Sequence, residues 1–222
     1  GEILGMAGLV GAGRSELAQA LFGVDASPSG SISVSGDSIQ RGKIAAAIES
    51  GIFLAPEDRK ASGLILEMSI RENMSLNSME RFSHRSRIDL KKEKLQTAKW
   101  LKEFGVKAAN VEHAVGDLSG GNQQKVVLAK WMTLAPKVMI FDEPTRGIDM
   151  GARHEIYQAI VALARQGCAI LMISSDMEEL LGMSHRIAVM CEGHLTGTLE
   201  QEAFSEAAIM ELAVQVHQPL SA

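Results

Sequence analysis

The chain has 222 residues, of which 46% are hydrophobic, 22% charged and 4% aromatic, the composition of a globular domain with one or two cores. Lys plus Arg total 22 against 27 Asp plus Glu, a formal charge of -5 with no basic block, which argues against nucleic acid as a main partner. Apolar runs such as 168–173 stop far short of the roughly 18 residues of a membrane span. The first residues carry no signal-peptide pattern, and the isolated Cys168 and Cys191 offer no disulfide framework, so a cytosolic chain is expected.

Ile3, Leu4, Met6, Ala7 and Leu9 form a short apolar run broken by Gly8, Gly11 and Gly13. Leu17, Ala18, Leu21 and Phe22 then recur at helical spacing, with Gly23 as a stop, so the chain starts strand, loop, helix. Ile32 and Val34 alternate with serines and Gly36-Asp37 reads as a hairpin turn, which predicts an antiparallel piece. Residues 51–55 read as a strand stopped by Pro56. The stretch 57–117 is polar, charged and helix-rich, with 89–104 its clearest helix; we expect a helical subdomain inserted into a single domain of residues 1–222. The later half alternates: strand 138–141, helix 152–165, strand 168–173 after the terminator Gly167, a short helix with Met177, Leu180 and Leu181, strand 186–190, and helix 203–214. Strands separated by helices predict an α/β fold with a mainly parallel sheet, and no internal repeat is present.

Gly8-Leu9-Val10-Gly11-Ala12-Gly13-Arg14-Ser15 follows a strand and opens a helix. Glycines let backbone amides fold around phosphate oxygens, and the helix N-terminus adds its dipole. The pattern G-x-x-x-x-G-K-[ST] is met except that Arg14 replaces the lysine. Taken alone, the stretch also reads as a glycine turn kept for packing. Next, 138–141 place Asp142 and Glu143 at the C-terminal end of a buried strand, where ligands of α/β sheets bind. Asp142 is the candidate Mg²⁺ holder, largely through water, and Glu143 the group that polarises an attacking water. Two solvated acids ending a strand are the plainer alternative.

The most specific element is Leu118-Ser119-Gly120-Gly121-Asn122-Gln123-Gln124, followed by a helix with Val127, Leu128, Trp131 and Leu134. Ser119 and the amides of Gly120 and Gly121 at a helix start make a second anion site, or simply a serine-capped helix. In the order loop, signature, acidic strand, the chain resembles the ATP-binding cassette family, whose signature is LSGGQ-like, and the resemblance covers nearly its whole length. It implies a P-loop NTPase fold with a partial antiparallel β element, and ATP and Mg²⁺ as cofactors. Gly8, Gly11, Ala12, Gly13, Arg14, Ser15 and Glu16 would bind nucleotide, with Ser15 and Asp142 at the metal. Ser119, Gly120, Gly121 and Gln123 would face the γ-phosphate held by a partner cassette, and Asp149 matches the D-loop at the dimer interface. Asp149 is equally an N-cap for the helix that follows.

Pro56-Glu57-Asp58-Arg59-Lys60, Pro144-Thr145-Arg146-Gly147 and Ile173-Ser174-Ser175-Asp176 look like the second cassette of bacterial monosaccharide importers, in which two cassettes are fused in one polypeptide. That likeness implies membrane permease subunits as partners, indirectly a sugar-binding protein, and a cytoplasmic location on the inner face of the membrane. The apolar Leu64, Ile65, Leu66 and Met68 are the candidate permease contact.

Three positions depart from an active cassette. Arg14 brings a wide planar guanidinium where a compact lysine charge is usual. Glu57 stands at the Q-loop glutamine position, where a carboxylate reaches toward Mg²⁺ but adds negative charge. Ser175 stands at the switch-histidine position with a hydroxyl too short for that role. Glu143 is retained. No aromatic residue precedes the phosphate loop to stack on adenine, so we expect a piece of a longer protein lacking its first antiparallel strands, with an exposed edge near Ile32 and Val34. The six histidines have no metal-ligand spacing. The leading expectation is an ATP-hydrolysing domain of a sugar importer whose own site is degenerate. A non-catalytic nucleotide-binding module is the second, and a soluble cassette of translation or DNA repair, lacking here a basic patch or coiled coil, the third.

Overall fold

Unbroken apolar runs such as Val-Met-Ile-Phe and Ala-Ile-Leu-Met-Ile are covered on both faces when they become strands of a parallel sheet, and that is where the chain puts them. The computed structural model describes residues 1–25, 29–84 and 87–215. In chain order its elements are β1 (Ile3–Gly8), α1 (Arg14–Phe22), β2 (Ile32–Val34), β3 (Asp37–Ile39), α2 (Ile44–Ser50), β4 (Ile52–Ala55), α3 (Ile70–Ser75), β5 (Ser83–His84), β6 (Arg87–Ile88), α4 (Leu90–Glu103), α5 (Gly120–Met132), β7 (Val138–Asp142), α6 (Met150–Arg165), β8 (Ala169–Ile173), α7 (Met177–Met183), β9 (Arg186–Cys191), β10 (His194–Glu200) and α8 (Glu206–Ala213).

The chain divides into two compact units. The first comprises Gly1–Leu54, Lys137–Pro144 and Val161–Ala222. It carries a six-stranded sheet in the order β10-β9-β1-β8-β7-β4. β1 lies between β8 and β9, parallel to both, with Ile3 opposite Ile170 and Leu4 opposite Arg186, and β7 runs parallel to β8. Met139, Phe141, Met172 and Val189 are wholly buried. Each such side chain stabilises the fold by roughly 1.5–3 kcal/mol.

Two details depart from the periodicity. Residues 194–200 carry no clean alternation, yet form β10, antiparallel to β9, because Glu192 and Gly193 both take positive φ (47° and 80°) and close a two-residue hairpin. The hairpin of β2 and β3 turns at Ser35-Gly36 (φ 55° and 90°), one residue before the expected Gly36-Asp37, with Val34 facing Asp37. β2 and β3 pair only with each other among the described residues.

The second unit comprises Ala55–Pro136 and Thr145–Ile160, wider than the 57–117 segment read as an insertion. Its α5 is buried nearly all round, with Val126, Val127, Leu128 and Ala129 fully enclosed. α3 starts in a capping box between Ser69 and Glu72, and α4 is capped by Asp89, which accepts from the Lys92 amide at 3.0 Å. Arg71 on α3 reaches Glu93 on α4 at 2.6 Å and Glu112 at 3.1 Å.

Lys130 on α5 donates to the Gly63 carbonyl and lies 5.2 Å from the Trp131 ring centroid. Burial pushes its ammonium down to about 8. Below about pH 8 both folded and unfolded chains carry the proton and the burial cost stands in full. Between about 8 and the ordinary lysine value of 10.5 the folded chain sheds the proton first, so the stability contributed here rises with pH. Denaturant melts of wild type and Lys130→Met at pH 7 and 9.5 should show wild type gaining on the variant, by up to about 1.4 kcal/mol per pH unit within that window. A gap independent of pH would contradict this.

Candidate functional site

β1 ends at Gly8, where an added Cβ would lie 2.5 Å from the Met190 carbonyl oxygen, so only glycine lets the strand run on into the loop here. Gly11 (φ 82°) and Gly13 (φ 96°) carry the chain through left-handed backbone into α1. Ala12 donates to Leu9 O at 3.0 Å and accepts from the Gly193 amide at 2.9 Å, which pins the loop to the β9–β10 turn. No side chain caps α1. Its first amides, of Arg14, Ser15 and Glu16, are thus the kind of unpaired donors that hold phosphate.

Asp142 ends β7 and is 5% exposed. Its carboxyl is pushed upward, first by burial and also by neighbouring Glu143, against the lowering effect of a hydrogen bond with Ser15. Its Oδ1 is buried without a hydrogen-bond partner. A buried carboxylate oxygen without a donor, beside a hydroxyl, is a hard-oxygen pair that fits a divalent cation. No group of three or more His, Cys, Asp or Glu suited to a metal exists among the described residues. Such an ion would complete its shell with phosphate oxygens and water, as Mg²⁺ commonly does.

Glu143 follows with φ 51°, its amide bonded to Ile173 O at 2.9 Å, which anchors it to the end of β8. Its Oε2 accepts from Ser175 Oγ at 3.0 Å, and its Oε1 lies 3.9 Å from Arg14 Nη2. Arg14, 9% exposed, donates through Nη1 to Ser174 O at 2.7 Å. Ser174 in turn bonds Glu179 through its hydroxyl. The guanidinium expected to meet phosphate is therefore turned inward, onto the carboxylate that was expected to polarise water. Ser175 meets that same carboxylate. Arg14, Glu143 and Ser175 form one closed cluster in the first unit, beside the Ser15–Asp142 pair.

The remaining expected residues belong to the second unit. Glu57 is ion-paired with Arg146, so the carboxylate expected to reach for metal is engaged by a guanidinium. Ser119 occupies the N-cap position of α5 without capping it through its side chain; its hydroxyl accepts from Asn122 Nδ2 at 3.0 Å. A Cβ on Gly121 would fall 2.5 Å from that of Ala152, so glycine here allows the start of α6 to approach. Gln123, expected to face nucleotide, is 3% exposed and donates to the carbonyls of Val115, Gly116 and Leu118, which makes it a brace for the segment before the helix. Asp149 accepts from the Ala152 amide at 3.0 Å, the capping alternative. Sequence reasoning assigned no role to Arg59 and Arg146, although both stand in strings it quoted.

A family profile described as ABC transporter matches residues 1–146. The chain is 49% identical over 213 residues to the ribose import ATP-binding protein RbsA of Lactococcus lactis subsp. cremoris, covering 96% of this chain and 43% of that protein. It is 47% identical over 218 residues to ribose import ATP-binding protein RbsA 1 of Streptomyces avermitilis, covering 98% of this chain and 42% of that one. The chain thus spans less than half the length of these curated relatives. Among solved structures, a nucleotide-free ATP-binding cassette from an ABC transporter superposes with a TM-score of 0.78 at 20% identity, over 97% of this chain and 88% of that one. A dimeric cassette in a post-hydrolysis state with ADP and Pi gives 0.74 at 18% identity, over 91% and 87%. At these identities the structural likeness speaks for the fold.

Proposed function

This chain belongs to the ABC transporter family, and on that premise we propose that it is an ATP-binding domain of a monosaccharide importer with an impaired nucleotide site of its own. Its relatives named for ribose import support the sugar class, and their greater length supports a second cassette in the same polypeptide. In this reading the chain sits at the cytoplasmic face of the membrane, against permease subunits fed by a sugar-binding protein. No described helix is long and apolar enough to cross a membrane itself. The half-exposed Ile65, in the apolar stretch 64–68, suits the permease contact.

The observation that carries the impaired-site reading is the closed Arg14–Glu143–Ser175 cluster. The amides of residues 11–15 cradle phosphate, and Ser15 with Asp142 would hold Mg²⁺, which neutralises phosphate charge when bound. Glu143 must be free to take a proton from water for hydrolysis to proceed. Here one of its oxygens accepts from the Ser175 hydroxyl and the other faces the Arg14 guanidinium, so neither is free to meet a water. The signature segment 118–124 keeps its glycines and would serve the partner's nucleotide.

Equilibrium titration with Mg-ATP tests the reading. Binding to this chain should be weak, with a Kd of roughly 10 μM or above, and single-turnover hydrolysis should be marginal. Submicromolar binding that Arg14→Lys abolished would show a guanidinium fitted to the phosphates and overturn the proposal.

A further inference from the structure

Glu57, Asp58, Arg59, Lys60 and Arg146 have no part in the chemistry above, yet they line a cavity of about 440 Å³ in the second unit. Its two acids are engaged. Glu57 pairs with Arg146, and Asp58 Oδ1 accepts from the amides of Lys60 at 2.9 Å and Ala61 at 3.1 Å, capping the turn Arg59–Gly63. Arg59 is held differently. Its Nη1 donates to the Arg146 carbonyl at 3.2 Å, while its Nε is buried with no hydrogen-bond partner. Its Nη2 lies 2.8 Å from where a Cβ on Gly120 would sit. Glycine at 120 is what leaves room for the guanidinium beside the first turn of α5.

That arrangement is electrostatically incomplete. The start of a 13-residue helix carries partial positive charge, and a cation there is disfavoured unless an anion joins both. The neighbouring carboxylates do not supply one, being engaged with Arg146 and with the turn. A guanidinium offers a planar fork matched to phosphate oxygens, and the Arg146 carbonyl fixes one arm of the fork.

We infer that Arg59 is the charged member of the signature face: in the assembled transporter its guanidinium, alongside the amides of residues 120 and 121, binds the terminal phosphoryl group of ATP held by the partner cassette. This inference rests on the proposal that the signature completes the partner's site. Arg59 is then a group supplied in trans that distinguishes triphosphate from diphosphate, since only the former extends far enough to meet it. The Glu57–Arg146 pair positions it by fixing the backbone that Arg59 grips.

The test uses the full-length transporter with its partner site intact, comparing wild type, Arg59→Ala, Arg59→Lys and Ser119→Arg for equilibrium binding of ATP and of ADP and for single-turnover ATPase. Arg59→Ala should weaken ATP at the partner's site by about 10- to 100-fold, the range lost with a charge-assisted hydrogen bond, and leave ADP within about threefold of wild type. Arg59→Lys should recover part of the loss. Parallel weakening of ATP and ADP would mean that Arg59 only holds the local backbone, and unchanged ATP binding would mean that it meets no phosphate; either result overturns the inference. If Ser119→Arg remains fully active, the signature proposal itself has failed, whereas inactivity of Ser119→Arg with wild-type behaviour of Arg59→Ala removes Arg59 alone.

Discussion

Ser119→Arg is expected to lower the ATPase rate of the assembled transporter by about a hundredfold or more, equivalent to roughly 2.7 kcal/mol of transition-state stabilisation. Ser119 stands at the N-cap position of α5 with its hydroxyl held by Asn122 and its side chain free of capping duty. If the signature completes the partner's site as proposed, an arginine there fills, with a long side chain, the space that the partner's γ-phosphate would enter, and it removes the hydroxyl that accepts from Asn122. Glu143→Gln should do far less, because one Glu143 oxygen already accepts from the Ser175 hydroxyl and the other faces the Arg14 guanidinium, in a site that the proposal holds impaired. Single-turnover ATPase on both variants decides between them. The reverse ranking, with Glu143 essential and Ser119 dispensable, would refute the division of roles.

Arg71→Met is expected to destabilise the second unit by about 3–5 kcal/mol, a large share of the roughly 5–15 kcal/mol that holds a domain together. Glu93 is 1% exposed and takes its charge compensation from Arg71 at 2.6 Å, with the Ser75 hydroxyl as a further donor. Removing the guanidinium leaves a buried carboxylate with a hydroxyl alone. Replacing both partners, Arg71→Met with Glu93→Leu, should restore most of the stability, because an apolar pair of similar bulk needs no compensation. The Arg71 and Lys94 hydrogen bonds also hold the Glu112 carboxyl below the usual carboxylate value of 4.5. The stability from that group is complete above pH 4.5 and disappears as pH falls through the lower folded value, so the acid limb of the wild-type profile should flatten in Arg71→Met. Denaturant melts between pH 3 and 7 measure both effects, and a loss below about 1 kcal/mol at pH 7 would show the cluster to be dispensable.

The strand-loop-helix around Gly8, the acidic end of β7 and the glycines of 118–124 were legible without a structure because each is local. A run of apolar residues, a glycine at a turn and a cap at a helix start depend on neighbours within a few positions. The same locality made α4 readable to within a residue, from its Asp89 cap and its apolar spacing. β10 was missed because its pairing comes from β9 and from two positive-φ residues, 192 and 193, while its own side chains show weak alternation.

The amino-acid sequence alone thus determined the family and the α/β class, since those rest on residue type and spacing. Only the tertiary structure decided which way the long charged and amide side chains face. Arg14 turns to Ser174 and Glu143, Glu57 to Arg146, Gln123 into the carbonyls before α5, and Arg59 toward Gly120. A long ionic side chain sweeps several ångströms about its Cα. Its partner is chosen by residues up to 160 positions away, as with Arg14 and Ser174, and no local pattern encodes that choice.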